Sequence, residues 1–252
     1  MDNMTADRIL LLDAGNSRIK WGFAREGQQI EAGKAIPARL PFSHALLDRH
    51  WGELARPSAV ALASVAARRI DDAVIAWVAE RWRLEVRRIS ACKQMSGVIN
   101  GYEDPSALGV DRWLGLLAAH RLSPASPACV ADCGTAITLD WLDADGKHRG
   151  GVIAPGLNMM RTALAQGADR LSMAHHGSHQ GPGKTTADAI AAGVSGAAIG
   201  LIEHFMQQYG RDCALFLTGG DAPHIAAGLN LPHRLEPNLV LMGLSIAVSD
   251  AT

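Results

Sequence analysis

Two five-residue segments, Asp13-Ala14-Gly15-Asn16-Ser17 and Asp132-Cys133-Gly134-Thr135-Ala136, each combine a carboxylate, a glycine and a small side chain in one short stretch. These residue types suit work on phosphate. Glycine lets the backbone come close to an anion, and turn N–H groups together with the Ser17 or Thr135 hydroxyl can donate to phosphate oxygens. The carboxylate at the head of each segment cannot bind phosphate directly; it can hold a cation, either Mg²⁺ through water or another ion. Lys20 follows the first segment closely and can neutralise phosphate charge. One such turn alone is more often an ordinary hairpin with an Asx interaction. Two in matched context point to function.

A third segment carries charge inside an apolar pattern. Tyr102–Arg112 reads Tyr-Glu-Asp-Pro-Ser-Ala-Leu-Gly-Val-Asp-Arg. Pro105 suits a helix start, and the spacing predicts one helix over Ser106–Arg121 with Trp113, Leu116 and Leu117 on one face. On that helix Asp111 falls one turn from Ala107 and Leu108 and is partly buried. A carboxylate there can take a proton from a substrate hydroxyl. Arg112 can clamp a carboxylate or phosphate with two prongs. The plainer alternative is a structural Asp–Arg pair on the helix surface.

Other motifs carry less. Thr218-Gly219-Gly220-Asp221 closes a strand and leaves room for a flat ring on backbone, but Gly-Gly turns are common. Ser178–Thr185 reads S-x-x-x-x-G-K-T and departs from the P-loop, which requires Gly at its first position; Gly177 comes one residue too early. His175, His176 and His179 could bind Zn²⁺, yet no carboxylate or Cys stands at ligand spacing, so Ala174–Gly183 reads as a solvated loop.

The elements that must position these residues follow from the hydrophobic pattern. Ile9–Asp13 and Arg18–Ala24 read as a hairpin turning at Gly15-Asn16. Phe42–Leu54 and Ile70–Trp82 have helical spacing, and Ala59–Val65 and Leu84–Ile89 read as strands. After a connector at Leu122–Pro127 the pattern restarts. Strands are expected at Ala128–Ala131, Ile137–Leu142, Gly150–Ala154 and Ala214–Leu217, and helices at Leu157–Ala165, Thr186–Tyr209 and Leu239–Ser249. The two Asp-containing turns each follow an apolar strand and precede a second strand, about half a chain apart. This predicts an α/β protein of two domains with one repeated topology, residues 1–122 and 123–252, whose turns face each other.

Bulk properties narrow the class. The formal net charge is -1, so no global basic field attracts nucleic acid, and no nucleic-acid partner is expected. Ile9–Leu12 is too short for a signal core or a membrane span, and Asp188–Ile202, rich in Ala and Gly, reads as a closely packed helix. The four cysteines form no C-x-x-C pair. A reduced, cytoplasmic protein without a membrane partner is the expectation.

Taken in order, the segments resemble type III pantothenate kinases of the acetate kinase, sugar kinase, Hsp70 and actin superfamily. Asp13–Ser17 resembles the family's first phosphate motif. Tyr102-x-x-Pro-x-x-Leu-Gly-x-Asp-Arg112 resembles its pantothenate segment, and Asp132–Ala136 its second phosphate motif. Gly150-Gly-Val-Ile-Ala-Pro-Gly156 and Thr218–Ala222 match later motifs. The resemblance implies two actin-like, RNase H-like domains with an ATP cleft between them. It implies that Asp13, Ala14, Gly15, Asn16, Ser17, Arg18, Ile19 and Lys20, with Thr135, contact ATP, which arrives with Mg²⁺. Tyr102, Gly109, Val110, Asp111 and Arg112 would contact pantothenate, with Asp111 as general base. Asp132 would hold a monovalent cation, K⁺ or NH₄⁺. Thr186, or its neighbour Thr185, would reach pantothenate from the other subunit of a homodimer. The family usually has Thr where this chain has Ser17; the hydroxyl survives. The competing reading is a non-catalytic nucleotide-binding regulator on the same scaffold, which the intact Asp111 and Arg112 disfavour. A phosphatase of the same superfamily would need a longer and more basic substrate segment than Gly101–Arg112.

Overall fold

The computed structural model describes residues 8–25, 30–38, 42–167 and 181–250. The chain divides into two compact units, Met1–Arg121 with Asn238–Thr252, and Leu122–Pro237.

The first unit is built on β1 (Ile9–Ala14), whose Leu10, Leu11 and Leu12 are completely buried. A strand covered on both faces reads as an unbroken apolar run, which is why this one does not alternate. It pairs antiparallel with β2 (Arg18–Ala24). Two-residue strands β3 (Glu31–Ala32) and β4 (Ile36–Pro37) both pair with β2. Helix α1 (His44–Trp51) leads to β5 (Ala59–Ser64), which runs parallel to β1 on its other side. Helix α2 (Arg68–Trp82) then leads to β6 (Val86–Arg88). The sheet order is β3-β2-β1-β5-β6.

One face of this sheet packs on α1 and α2 through a chain of tryptophans. Trp21, Trp51, Trp77 and Trp82 meet edge to face, with ring centroids 6.2, 5.6 and 4.7 Å apart in succession. Such pairs add about 0.5–1.5 kcal/mol each beyond the area they bury. Trp77 Nε1 donates to Asp48 Oδ1 at 2.8 Å and so joins α2 to α1. At the ends of β5 and β6, the buried Asp71 carboxylate accepts from Ser64 Oγ at 2.6 Å and from Arg88 at 2.7 Å.

Beyond β6 come the short strands β7 (Gln94–Met95) and β8 (Val98–Ile99), a 3₁₀ turn at Pro105–Ala107, and α3 (Val110–Leu122). The single helix expected over Ser106–Arg121 is therefore two pieces. Asp104 Oδ1 accepts from Ser106 N and Oγ, at 2.9 and 2.7 Å, and closes a local turn at Pro105. The chain then extends at Leu108 (φ −72°, ψ 128°), which buries its side chain, and the helix restarts after Gly109. The apolar spacing runs through the break and hides it. As a result Asp111 lies in the first turn of α3, not one turn along a helix that includes Ala107.

The second unit repeats the plan. A hairpin of β9 (Ala128–Cys133) and β10 (Ala136–Leu142) continues into β11 (His148–Pro155). Helices α4 (Leu157–Gly167) and α5 (Thr186–Tyr209) precede β12 (Ala214–Thr218), parallel to β9. Helix α6 (Ala222–Ala226) and β13 (Arg234–Leu235) complete the order β11-β10-β9-β12-β13. This repeats the order β3-β2-β1-β5-β6 of the first sheet, in which β4 is an addition on β2. Helix α5 is long and apolar enough to cross a bilayer, with a mean hydropathy of 1.5 over its most apolar window. Its stripe Ala191, Val194, Ala198, Ile202 and Met206, at helical spacing, is buried in the core of the unit.

The last element among the described residues is α7 (Leu239–Asp250). The boundary read from sequence left this segment with the second unit; the packing returns it to the first. The reason is burial. Helix α7 is apolar nearly all round and packs on β1, β2 and β5. Gly243 lies against the Leu114 backbone of α3 so closely that a side chain there would overlap it.

Candidate active site

The first turn is held by Gly15 N donating to Arg18 O at 3.1 Å. Asp13, next to last in β1, has little exposure and stands opposite Lys20 in the hairpin register. Directly opposed side chains lie about 4.5–5.5 Å apart at Cβ, so carboxylate and ammonium share one face of the hairpin. Asn16, Ser17 and Arg18 are exposed, whereas the side chains of Ala14 and Ile19 belong to the core. What Ala14 and Ile19 offer to a ligand is backbone.

The segment Tyr102–Arg112 is built around a buried arginine. Arg112 donates through Nη1 to the Tyr102 hydroxyl at 2.7 Å, and its guanidinium carbon is 5.6 Å from the centre of the Tyr102 ring. Burying a guanidinium is costly unless its donors are met, and Tyr102 meets one of them. Asp111, half-buried, accepts at Oδ1 from the backbone N–H of Arg112 at 2.8 Å. Gly109 makes room for that carboxylate, because a Cβ there would stand 2.6 Å from Asp111 Oδ1. Val110 is buried. The structure thus gathers Tyr102, Gly109, Asp111 and Arg112 at the N-terminal end of α3.

The second turn is tighter, with Gly134 N donating to Ala136 O at 3.0 Å. Thr135 is exposed at its tip, and its carbonyl accepts from Gly156 N at 3.0 Å. Asp221 N donates to Cys133 O at 2.9 Å, which draws the Thr218–Asp221 loop against this turn. Gly219, at φ 97°, lies so near Asp132 that a Cβ would stand 2.5 Å from its Oδ1. Thr218, opposite Asp132 in the strand register, has a buried Oγ1 without a hydrogen-bond partner among the described residues. The same Cβ would overlap the Cys133 carbonyl, so glycine lets the loop pack on this turn, and the Asp132 carboxylate and the buried Thr218 hydroxyl are oxygen donors of the kind a hard cation takes. Burial, with Asp132 and Asp221 adding, pushes the Cys133 thiol up to about 12, so it is inert at neutral pH.

Thr185 and Thr186 have different surroundings. Thr185 is the N-cap of α5; its Oγ1 accepts from Asp188 N at 3.1 Å and donates to Asp188 Oδ2 at 2.8 Å. Thr186 is the first helical residue and is exposed. Of the loop Ala174–Gly183, residues 174–180 lie outside the described residues, and with them His175, His176, His179 and the first three residues of the P-loop-like stretch.

The model of the type III pantothenate kinase family matches residues 9–208. The chain belongs to the type III pantothenate kinase family. A type III pantothenate kinase of Halorhodospira halophila is 39% identical over 248 residues, covering 93% of this chain and 95% of that one. One of Nitrosococcus oceani is 33% identical over 253 residues, covering 97% and 95%. Membership makes this chain an enzyme, a pantothenate kinase using ATP in coenzyme A biosynthesis, and disfavours the regulator reading. Among solved structures, the activator of the 2-hydroxyisocaproyl-CoA dehydratase from Clostridium difficile, with bound ADPNP, superposes with a TM-score of 0.59 at 14% identity, covering 97% of this chain and 96% of its own. Component A of the Acidaminococcus fermentans (R)-2-hydroxyglutaryl-CoA dehydratase gives 0.58 at 11%, covering 98% and 100%. At such identities these two speak for the fold alone: the pantothenate kinase chain has the actin-like α/β architecture its sequence implied.

Proposed function

We propose that the chain transfers the γ-phosphoryl group of ATP to the primary hydroxyl of pantothenate, giving 4'-phosphopantothenate, with Asp111 as the general base. The observation that carries this reading is the constellation at the start of α3. Arg112 is buried and bonded to Tyr102, and Asp111 projects beside them with its orientation fixed by the Arg112 N–H. Pantothenate is a carboxylate with a hydroxyl. Arg112 and Tyr102 suit binding it, and Asp111 suits taking the hydroxyl proton as that oxygen attacks phosphorus in line. Gly109 and Val110 contribute backbone to the same site.

Residues Asp13 to Lys20 and Thr135 hold ATP, the exposed turn amides and hydroxyls donating to phosphate oxygens and Lys20 offsetting their charge. Mg²⁺ arrives with the nucleotide. Asp132, with the Thr218 hydroxyl, would hold K⁺ or NH₄⁺. When bound, that ion would supply positive charge near the phosphates. Thr186 reaches pantothenate from the second subunit of a homodimer. Its exposure supports this, as does the engagement of the Thr185 hydroxyl in the helix cap. On a helix Thr186 shares a face with Gly193, Ala197 and Gly200, all exposed and small enough for another chain to approach closely. A cytoplasmic location follows from the use of ATP.

The test is a coupled assay of ADP release by the purified chain with ATP and Mg²⁺. ADP release is expected to require pantothenate, and to collapse when K⁺ or NH₄⁺ is replaced by Na⁺. Release indifferent to pantothenate would overturn the substrate reading. Full activity in Na⁺ alone would remove the cation from Asp132.

A further inference from the structure

The segment that carries Tyr102 is short of regular structure, yet its shape is set by one buried side chain. Asn100 follows β8 and is 7% exposed. Its backbone N–H donates to Lys93 O at 2.9 Å, across the base of the β7–β8 hairpin. Its side-chain Nδ2 donates to Cys92 O at 3.2 Å and to Pro105 O at 3.1 Å. Its Oδ1 accepts from Tyr102 N at 3.0 Å.

A carboxamide has two N–H donors and one acceptor oxygen, and here each faces its complement. Two carbonyl oxygens require the NH₂ side, and one N–H requires the oxygen, so the network fixes the orientation of the amide. The amide spans the segment from Cys92, before the hairpin, to Pro105, where the 3₁₀ turn begins, and holds Tyr102 between them. The hairpin itself is anchored. Ser96 donates through N and Oγ to Asp250 Oδ2, at 2.9 and 2.8 Å, at the end of α7. The chain of contacts then runs from Asn100 to the Tyr102 backbone, through the Tyr102 hydroxyl to Arg112, and from the Arg112 N–H to Asp111.

We propose that Asn100 is a positioning residue for the phosphoryl acceptor: its amide bonds to Cys92, Tyr102 and Pro105 fix the Tyr102–Arg112 pair that receives pantothenate. This rests on the reading of Tyr102–Arg112 as the pantothenate segment. Asn100 touches no reacting group, and its effect passes through Tyr102. The bonds of its amide all lie within residues 92–105, so its effect is expected on pantothenate rather than on ATP.

The decisive variant is Asn100→Asp, which keeps the size of the side chain and the acceptor for Tyr102 N but turns an oxygen toward the carbonyls of Cys92 and Pro105. Leaving those part-buried acceptors unmatched is expected to raise KM for pantothenate by about 10–100-fold. KM for ATP should change less than about twofold, a split that general loss of stability would not produce. In a Tyr102→Ala background, where the side chain to be positioned is gone, Asn100→Asp should add less than about threefold. If Asn100→Asp does not fold, Asn100→Ser is read in the same assays with the same expectations. If Tyr102→Ala raises KM for pantothenate while the Asn100 variants leave it unchanged, or raise both KM values together, or act additively with Tyr102→Ala, the role of Asn100 is overturned and the site reading stands. If Tyr102→Ala itself leaves KM for pantothenate unchanged, the segment does not hold pantothenate and both readings fall.

Discussion

Asp111 carries the chemical step proposed for this kinase, and its surroundings show why a single atom change can test it. Its carboxylate is oriented by the Arg112 N–H and given space by Gly109. Asp111→Asn keeps the shape and the hydrogen bond to that N–H while removing the proton acceptor. The expected outcome is a kcat about 10²–10⁴-fold lower at saturating ATP and pantothenate, with unchanged melting temperature. A near-normal kcat in a folded variant would mean that another group takes the proton. At this scale the sequence revealed residues with chemistry in their type. Asp13, Asp111, Arg112 and Asp132 stand out because charge interrupts apolar pattern or ends an apolar strand. Asn100 gave no such signal, since an asparagine before a glycine reads as a turn, and its partners are backbone atoms that no side-chain pattern encodes. Thr185 and Thr186 are equivalent on paper. Only the cap, with Asp188 three residues on, separates them, and a Thr-x-x-Asp reading of the sequence would have found it.

Among the elements, the hairpins and long helices were legible because each is longer than the period that reveals it. β1–β2, β9–β10 and α5 carry enough residues to show a buried run, an alternation or a 3.6-residue stripe. The strands β3, β4, β7, β8 and β13 have two residues each, too few for any period. The break before α3 was hidden because Leu108 is buried on either reading. The end of β9 makes a testable claim about pH. Burial, then Asp132 and Asp221, raises the Cys133 thiol from 9.0 to about 12. The folded chain thus keeps a proton that the unfolded chain releases. Where the unfolded state binds fewer protons, stability falls as pH rises. This contribution is intact below about pH 9 and is lost progressively toward about pH 12. Urea melts of wild type and Cys133→Ala across the alkaline range check it. The wild type should lose stability more steeply with pH, and parallel curves would mean that the thiol does not couple to folding.

For the whole molecule, the repeated sheet order puts two motifs of different sequence at matching positions, since each Asp lies near the end of the central strand of its own sheet. The repeat was visible in sequence as two restarts of one pattern. The return of α7 to the first unit was not, because an all-round apolar helix says that it is buried without saying where. Assembly is the remaining step at this scale, and the proposed homodimer with shared sites has an arithmetic consequence. Thr186→Ala subunits lack the threonine offered to the partner but keep Asp111. Asp111→Asn subunits lack the base but keep Thr186. Each homodimer is therefore defective at both sites. A hybrid has one site with its own Asp111 and the partner's intact threonine, and one site with neither. Random exchange of equal amounts makes about half the dimers hybrid, with one of two sites complete, so activity should recover to about a quarter of wild type above the residual levels of the parents. Recovery should track the hybrid fraction measured by native mass spectrometry. Proven exchange without recovery would place Thr186 in its own subunit's site or outside any site, and a monomer at assay concentration would remove the shared site altogether.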